Sequence, residues 1–223
     1  RERMREFSKM GVLDVWYFSV DMEVLIEQLE DETAKARAKK RFARARDRDV
    51  VDEDFPALVT FENSKHRIRD NPPLIYHLQE DEMAVKARVI EAFERYRATL
   101  AEDRRVLLDH YEFKDIAMKV VGVGSVGTRC AIMLFMGGAD DPLFLQVKEA
   151  RASVLEPYAG QSSYSNHGQR VVMGQRLMQS SSDIFLGWTK TDNGEFYLRQ
   201  MRDMKLKPLV ELFTPAVMND YAT

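Results

Sequence analysis

The sequence holds a single cysteine, Cys130. No internal disulfide can form, so packing must hold the chain together, which fits a reducing cytoplasm. Long apolar runs are missing too: a membrane-spanning helix needs about 20 predominantly apolar residues. The best candidate, VLDVWYFSV, is broken by polar side chains, and no membrane partner is expected. Charge of one sign is not in excess. The formal net charge is −3, which argues against a whole-surface affinity for nucleic acid. Histidines at ligand spacing are lacking, since His66, His77, His110 and His167 are scattered and have no cysteine pair beside them; a structural zinc site is not expected. Internal repeats and low-complexity segments are also absent. What is present is 223 residues, 45% hydrophobic and 31% charged, enough for one large or two small globular domains with a real core.

Two textures divide the chain. Residues 1–110 read as a mostly helical region with a short hairpin, and residues 111–223 as a sheet region. The opening RERMREFSKM has helical composition and no capping residue ahead of it, so a longer protein with a further N-terminal part is expected. DMEVLIEQLEDETAKARAKKRFARARDRD reads as one long helix with Asp21 as N-cap. It ends in a basic run, with eight Lys or Arg between Lys35 and Arg48. Such a run is usually a solvated face, and the acids of EQLEDE are at hand to balance it. FPALVTFENSKHRIRDNPPLIYHL reads as a hairpin closed by Pro72-Pro73, and HRIRDN as a turn. DEMAVKARVIEAFERYRATL places Val85, Val89, Phe93 and Tyr96 on one helical face.

From Phe113 the period changes. FKDIAMKVVGVG, TRCAIMLFMGG and PLFLQVKEA read as strands, the last two joined by the turn GGADDP. SVLEPYAG and NHGQRVVMGQRLMQ read as helices, with Asn166 capping the second. DIFLGWTK and EFYLRQMRD read as a hairpin about DNG. The expected fold is α+β: a five-stranded antiparallel sheet with a helix laid on it.

Gly122, Gly124 and Gly127 form a Gly-x-Gly-x-x-Gly pattern, which brings backbone N–H groups close to a phosphate. A dinucleotide-binding unit would continue into a helix, but TRCAIMLFM is apolar throughout and soon meets Gly137-Gly138. A protein-kinase glycine loop instead spans two strands and needs a lysine on the next one. LQVK supplies Lys148 there, and alternation sets Leu143, Leu145 and Val147 on one face and Phe144, Gln146 and Lys148 on the other. On this reading Gly122, Gly124, Ser125, Gly127 and Thr128 hold phosphates, Lys148 neutralises them and Arg129 adds a second cation. Gln200 and the residues to Asp203 stand where kinases bond the base. Two plainer readings stand beside it: a merely bulged hairpin, and a solvent-facing lysine.

Departures from the kinase pattern are specific. Arg129 and Gln146 occupy positions where small apolar groups would sandwich adenine, and NHGQRVVMGQRLMQ has no glutamate to pair Lys148. Glu156 is the preferred substitute; an exposed helix-end acid is the alternative. Nothing after Arg202 supplies a catalytic base or a metal-binding Asp.

GVGSVGTR, DDPLFLQVKEA, SVLEPY, NHGQRVVMGQRLMQ, SDIFLGW and YLRQMRDMK together resemble a family of bacterial proteins known as a domain of unknown function. Its members are longer and carry, ahead of this region, a Gly-Asp-x-His-x-x-Asn motif and an Asp-Phe-Asp element. These resemble the catalytic loop and metal-binding Asp of aminoglycoside-phosphotransferase-like kinases, in permuted order. The resemblance implies the nucleotide-clamping, N-lobe-like part of a kinase-like phosphotransferase. ATP and Mg²⁺ would be ligands of the full-length protein, and the missing N-terminal part its partner. No residue of this chain matches the upstream motifs, so none is assigned to the catalytic base or the metal, and this chain alone is expected to be inactive. The rival expectation is a non-catalytic module that binds a nucleotide or another small anion.

Overall fold

The structure, a computed structural model, describes residues 5, 7–17, 21–28, 31–46, 58–62, 65–79, 82–122, 127–138, 141–179, 181–201, 215 and 218. Contacts divide the chain into a unit of residues 1–19 and 50–201 and a unit of residues 20–49 and 202–223. That division differs from the change of texture at residue 110, because the preceding helices pack on the sheet.

In the smaller unit, α2 (Met22–Glu27) and α3 (Glu32–Arg46) replace the single expected helix. Asp21 does cap, accepting a bond from Glu23 N at 2.8 Å. The restart comes from Asp31, whose carboxylate accepts from Thr33 N at 2.8 Å and Ala34 N at 3.3 Å. A short acid that satisfies orphan N–H groups favours a new helix start over a continuous helix. The basic run is balanced as expected: Glu27 accepts from Lys35 at 2.8 Å and also pairs with Lys39. Those two ammonium groups, Lys35 first, hold its carboxyl down to about 2.

The larger unit opens with α1 (Val12–Tyr17) and contains two sheets. Of the passage FPALVTFENSKHRIRDNPPLIYHL, expected as a hairpin closed by Pro72-Pro73, the hairpin is β1 (Val59–Glu62) with β2 (Lys65–Ile68), and the proline pair lies beyond it. His66 to Ile68 is thus strand, and only the Asp70–Asn71 end of HRIRDN turns, with Leu74 N donating to Asn71 O. The main sheet comprises β3 (Ile75–Tyr76), β4 (Glu112–Lys119), β5 (Cys130–Met136), β6 (Pro142–Ala150), β7 (Gly187–Thr191) and β8 (Gly194–Gln200). Its order is β3-β4-β5-β6-β8-β7, antiparallel throughout. The architecture is α+β, as expected, but the sheet has six strands. The extra edge strand pairs Ile75 with Lys119 and Tyr76 with Met118, and a two-residue strand is too short to show any alternation.

Helices α4 (Glu82–Arg97) and α5 (Glu102–Leu108) cover one face of this sheet. Tyr96 and Leu108 join Met133, Phe135, Leu143, Leu145 and Leu198 there, with Val89 and Phe93 packed alongside. The Tyr96 hydroxyl, fully buried, donates to Phe185 O at 2.7 Å. The opposite face buries Ala117, Ile132, Leu134, Phe144 and Met201 beneath the β1–β2 hairpin. Strand β5 is buried along its whole length, which explains its unbroken apolar sequence: it is a central strand covered on both faces.

The single turn α6 (Glu156–Ala159) and α7 (His167–Met178) link β6 to β7. Asn166 caps α7 as expected, accepting from Gln169 N at 2.8 Å. Gly168 looks like a weakness in a helix, yet a Cβ there would lie 2.4 Å from Phe196 O. Only glycine lets α7 seat this closely on β8. Among the described residues, no helix is long and apolar enough to cross a membrane.

Candidate functional site

Lys148 lies on β6 directly opposite Cys130 of β5 and Tyr197 of β8. Residues directly opposite in an antiparallel pair share a face, so Lys148, Cys130, Tyr197 and, two residues on, Glu195 point the same way. The Glu195 carboxylate accepts from His167 N at 2.7 Å, which puts the start of α7 on the Lys148 face. Thr189, from the opposite face of β7, donates to Ala92 O of α4 at 2.6 Å. The half-buried Lys148 therefore stands on the third strand from Glu112, on the face where the following helix docks, with the large aromatic core behind it.

The glycine segment joins β4 to β5. Because Cys130–Met136 is strand, no helix follows the third glycine, and the dinucleotide-binding arrangement is excluded. Gly122 is exposed, Thr128 is half-buried and Gly127 has φ 80°, a left-handed conformation that suits glycine. Gly124 and Ser125 lie outside the described residues. The end of the segment is anchored at Arg129. Its N–H donates to Glu149 Oε2 at 2.8 Å, its guanidinium bonds the same carboxylate, and it donates also to Asn193 O. Its Cζ sits 5.3 Å from the Phe196 ring centroid, and Glu149 N donates to Arg129 O at 2.9 Å. Glu149 is shared with Arg151, 2.8 Å away. Arg151 first, and then Arg129, hold its carboxyl down to about 2 against the cost of burial.

Strand parity puts Arg129 and Glu149 on the face opposite Lys148. The second cation expected from Arg129 is thus a clamp on the back of the sheet. Glu156 carries its carboxylate at the start of α6, accepting from Ser153 N at 3.4 Å. Helix α7 contains no carboxylate. Gln200 ends β8, its N–H donating to Asp183 Oδ2 at 2.6 Å, and the next N–H, of Met201, goes to Phe144 O at 2.9 Å. Both backbone donors are therefore spent internally; Arg202 and Asp203 lie outside the described residues. Gln146, only 6% exposed, is bound through its Oε1 by Arg199, with Nε at 3.3 Å and a terminal nitrogen at 3.2 Å. The slot that a small apolar residue would leave open is filled by a polar pair from two strands.

Sequence reasoning missed three features. Arg199 and Lys119 face the same side as Lys148, which follows from register across β4, β5, β6 and β8 and not from any local motif. His77 is gripped between Asp70, 2.8 Å from Nδ1, and Asp115, 3.0 Å from Nε2. The Asp115 hydrogen bond raises the imidazole above its ordinary value, against desolvation, and Asp70 adds to it.

The family model described as "Uncharacterized protein conserved in bacteria (DUF2252)" matches residues 1–223. Comparison with curated proteins and with solved structures gave no match.

Proposed function

The chain belongs to that bacterial family, and from this premise we propose that its main sheet is the nucleotide-clamping half of a kinase-like phosphotransferase. The observation that carries the reading is the station of Lys148. It stands on the third of the strands running from Glu112, immediately after the strand that follows the glycine segment, and on the face met by the helix after it. Protein kinases hold phosphates with a glycine-rich loop over the first two strands and a lysine on the third. Backbone N–H groups from Gly122 to Thr128 would supply the donors, and Lys148 the compensating charge. The Arg129–Glu149 clamp fixes the point where the glycine segment enters β5.

No described residue is assigned the chemical step. Asp70 of HRIRDN is committed to His77, whose N–H it accepts at 2.9 Å and whose ring nitrogen it meets at 2.8 Å. ATP with Mg²⁺ is the proposed ligand. A second reading, a binding module that performs no phosphoryl transfer, is favoured by the buried Gln146 and its half-buried partner Arg199, polar groups where a kinase would keep an apolar adenine slot.

Thermal unfolding of the protein with ATP and Mg²⁺ tests the proposal. A ligand-dependent rise in Tm that Lys148→Ala abolishes, with the ligand-free Tm unchanged, supports the assignment. An equal rise in both proteins removes Lys148 from the site. Transfer of the terminal phosphoryl group to any acceptor, water included, would separate the enzyme from the binding module.

A further inference from the structure

Among the described residues, a half-buried ammonium stands beside the proposed site with no matching anion. Lys119 ends β4, immediately before the glycine segment. Among the described residues, the acceptor its Nζ meets is the thioether of Met201, 3.4 Å away, a weak acceptor for a group with three strong donors. Met201 is itself 7% exposed and belongs to the apolar cluster on the Lys148 face. An apolar side chain would fill this position more cheaply than a cation drawn part-way out of water.

Register places Lys119 next to the site. The last pair between β4 and β5 is Met118 with Ala131, so the following residue, Lys119, comes beside Cys130, which in turn lies opposite Lys148. The two lysines thus flank Cys130 on one rung of the sheet. Two strand spacings separate their Cα atoms, about 10 Å, a gap that two flexible four-carbon stems can close around one extended anion. The glycine segment leaves the sheet at Lys119 and returns at Arg129.

We propose that Lys119 is a second phosphate-holding cation, and that the site accepts a chain of phosphoryl groups, as in a nucleoside di- or triphosphate, lying from Lys148 across Cys130 to Lys119. This rests on the nucleotide-clamping reading above and adds to Lys148 a second cation that holds the phosphate chain. Burial pushes the Cys130 thiol up against the pull of Lys148 and Lys119, which agrees with both ammonium groups lying over that residue.

The test is calorimetric titration of the full chain at low salt with inorganic tripolyphosphate and with orthophosphate, using wild type, Lys119→Met, Lys119→Arg and Lys148→Met. Loss of one charge-assisted contact predicts that Lys119→Met weakens tripolyphosphate about tenfold or more while changing orthophosphate less than about twofold. Lys119→Arg keeps the charge and should retain most of the affinity. The ligand-free Tm of Lys119→Met should not fall, since Met suits the thioether contact. Wild-type affinity in Lys119→Met, with binding lost in Lys148→Met, overturns the inference and leaves the parent reading standing. Tripolyphosphate binding unchanged in Lys148→Met, or undetectable in wild type, overturns both.

Discussion

Replacing Glu149 by Gln removes the charge that ties Arg129 and Arg151 to β6 while keeping the side chain's shape. The carboxylate is 8% exposed and accepts from both guanidinium groups and from Arg129 N. A carboxyl held near 2 instead of an ordinary 4.5 corresponds to about 3 kcal/mol of coupling. Both arginines are themselves well exposed, 43% and 58%, so solvent screening reduces the expected loss to about 1–2 kcal/mol. The sign follows from linkage: a lowered carboxyl contributes stability that is present above its unfolded value and lost as pH falls through the folded value. Urea unfolding of wild type and Glu149→Gln should therefore differ by this amount at pH 7. The gap should shrink as pH falls from about 4.5 toward about 2, and salt should narrow it at neutral pH. A gap independent of pH, or none at pH 7, would refute the argument that ionised Glu149 secures the end of the glycine segment.

Gly168→Ala puts a methyl group against the Phe196 carbonyl, 2.4 Å from its oxygen, where backbone meets backbone and neither can rotate away. A loss of about 1–3 kcal/mol is expected; a stability equal to wild type in denaturant titration would show that the helix sits differently. The His77 clamp carries the opposite pH sign. Because Asp115 and Asp70 raise the imidazole, its contribution is full below an ordinary histidine value of about 6.5 and fades as pH rises through the folded value. The stability difference between wild type and His77→Gln should shrink on that rise, and an unchanged difference from pH 6 to pH 9 would contradict it.

Much of the sheet was legible because its local signals agree. Asn193-Gly194 marks the β7–β8 turn, the run from Cys130 to Met136 is apolar because both its faces are covered, and the face bearing Val89, Phe93 and Tyr96 packs as its spacing predicts. Elements that depend on one side chain or on distant pairing were not. Asp31 restarts a helix that propensity alone would continue, and β3 exists only because β4 offers an edge to two residues. Within the candidate site, Lys148 could be placed on a face by alternation, whereas the direction of Arg129 required knowing that Cys130 lies opposite Lys148. Lys119 carried no motif. Asp115 reaches His77 across 38 residues of sequence, beyond any local pattern.

The most direct measurement is a structure of the protein with a non-hydrolysable ATP analogue and Mg²⁺. The account predicts phosphate oxygens within hydrogen-bonding distance of Lys148 Nζ, under the backbone from Gly122 to Thr128. Phosphates bound elsewhere, with the Lys148 ammonium directed away from them, would contradict it.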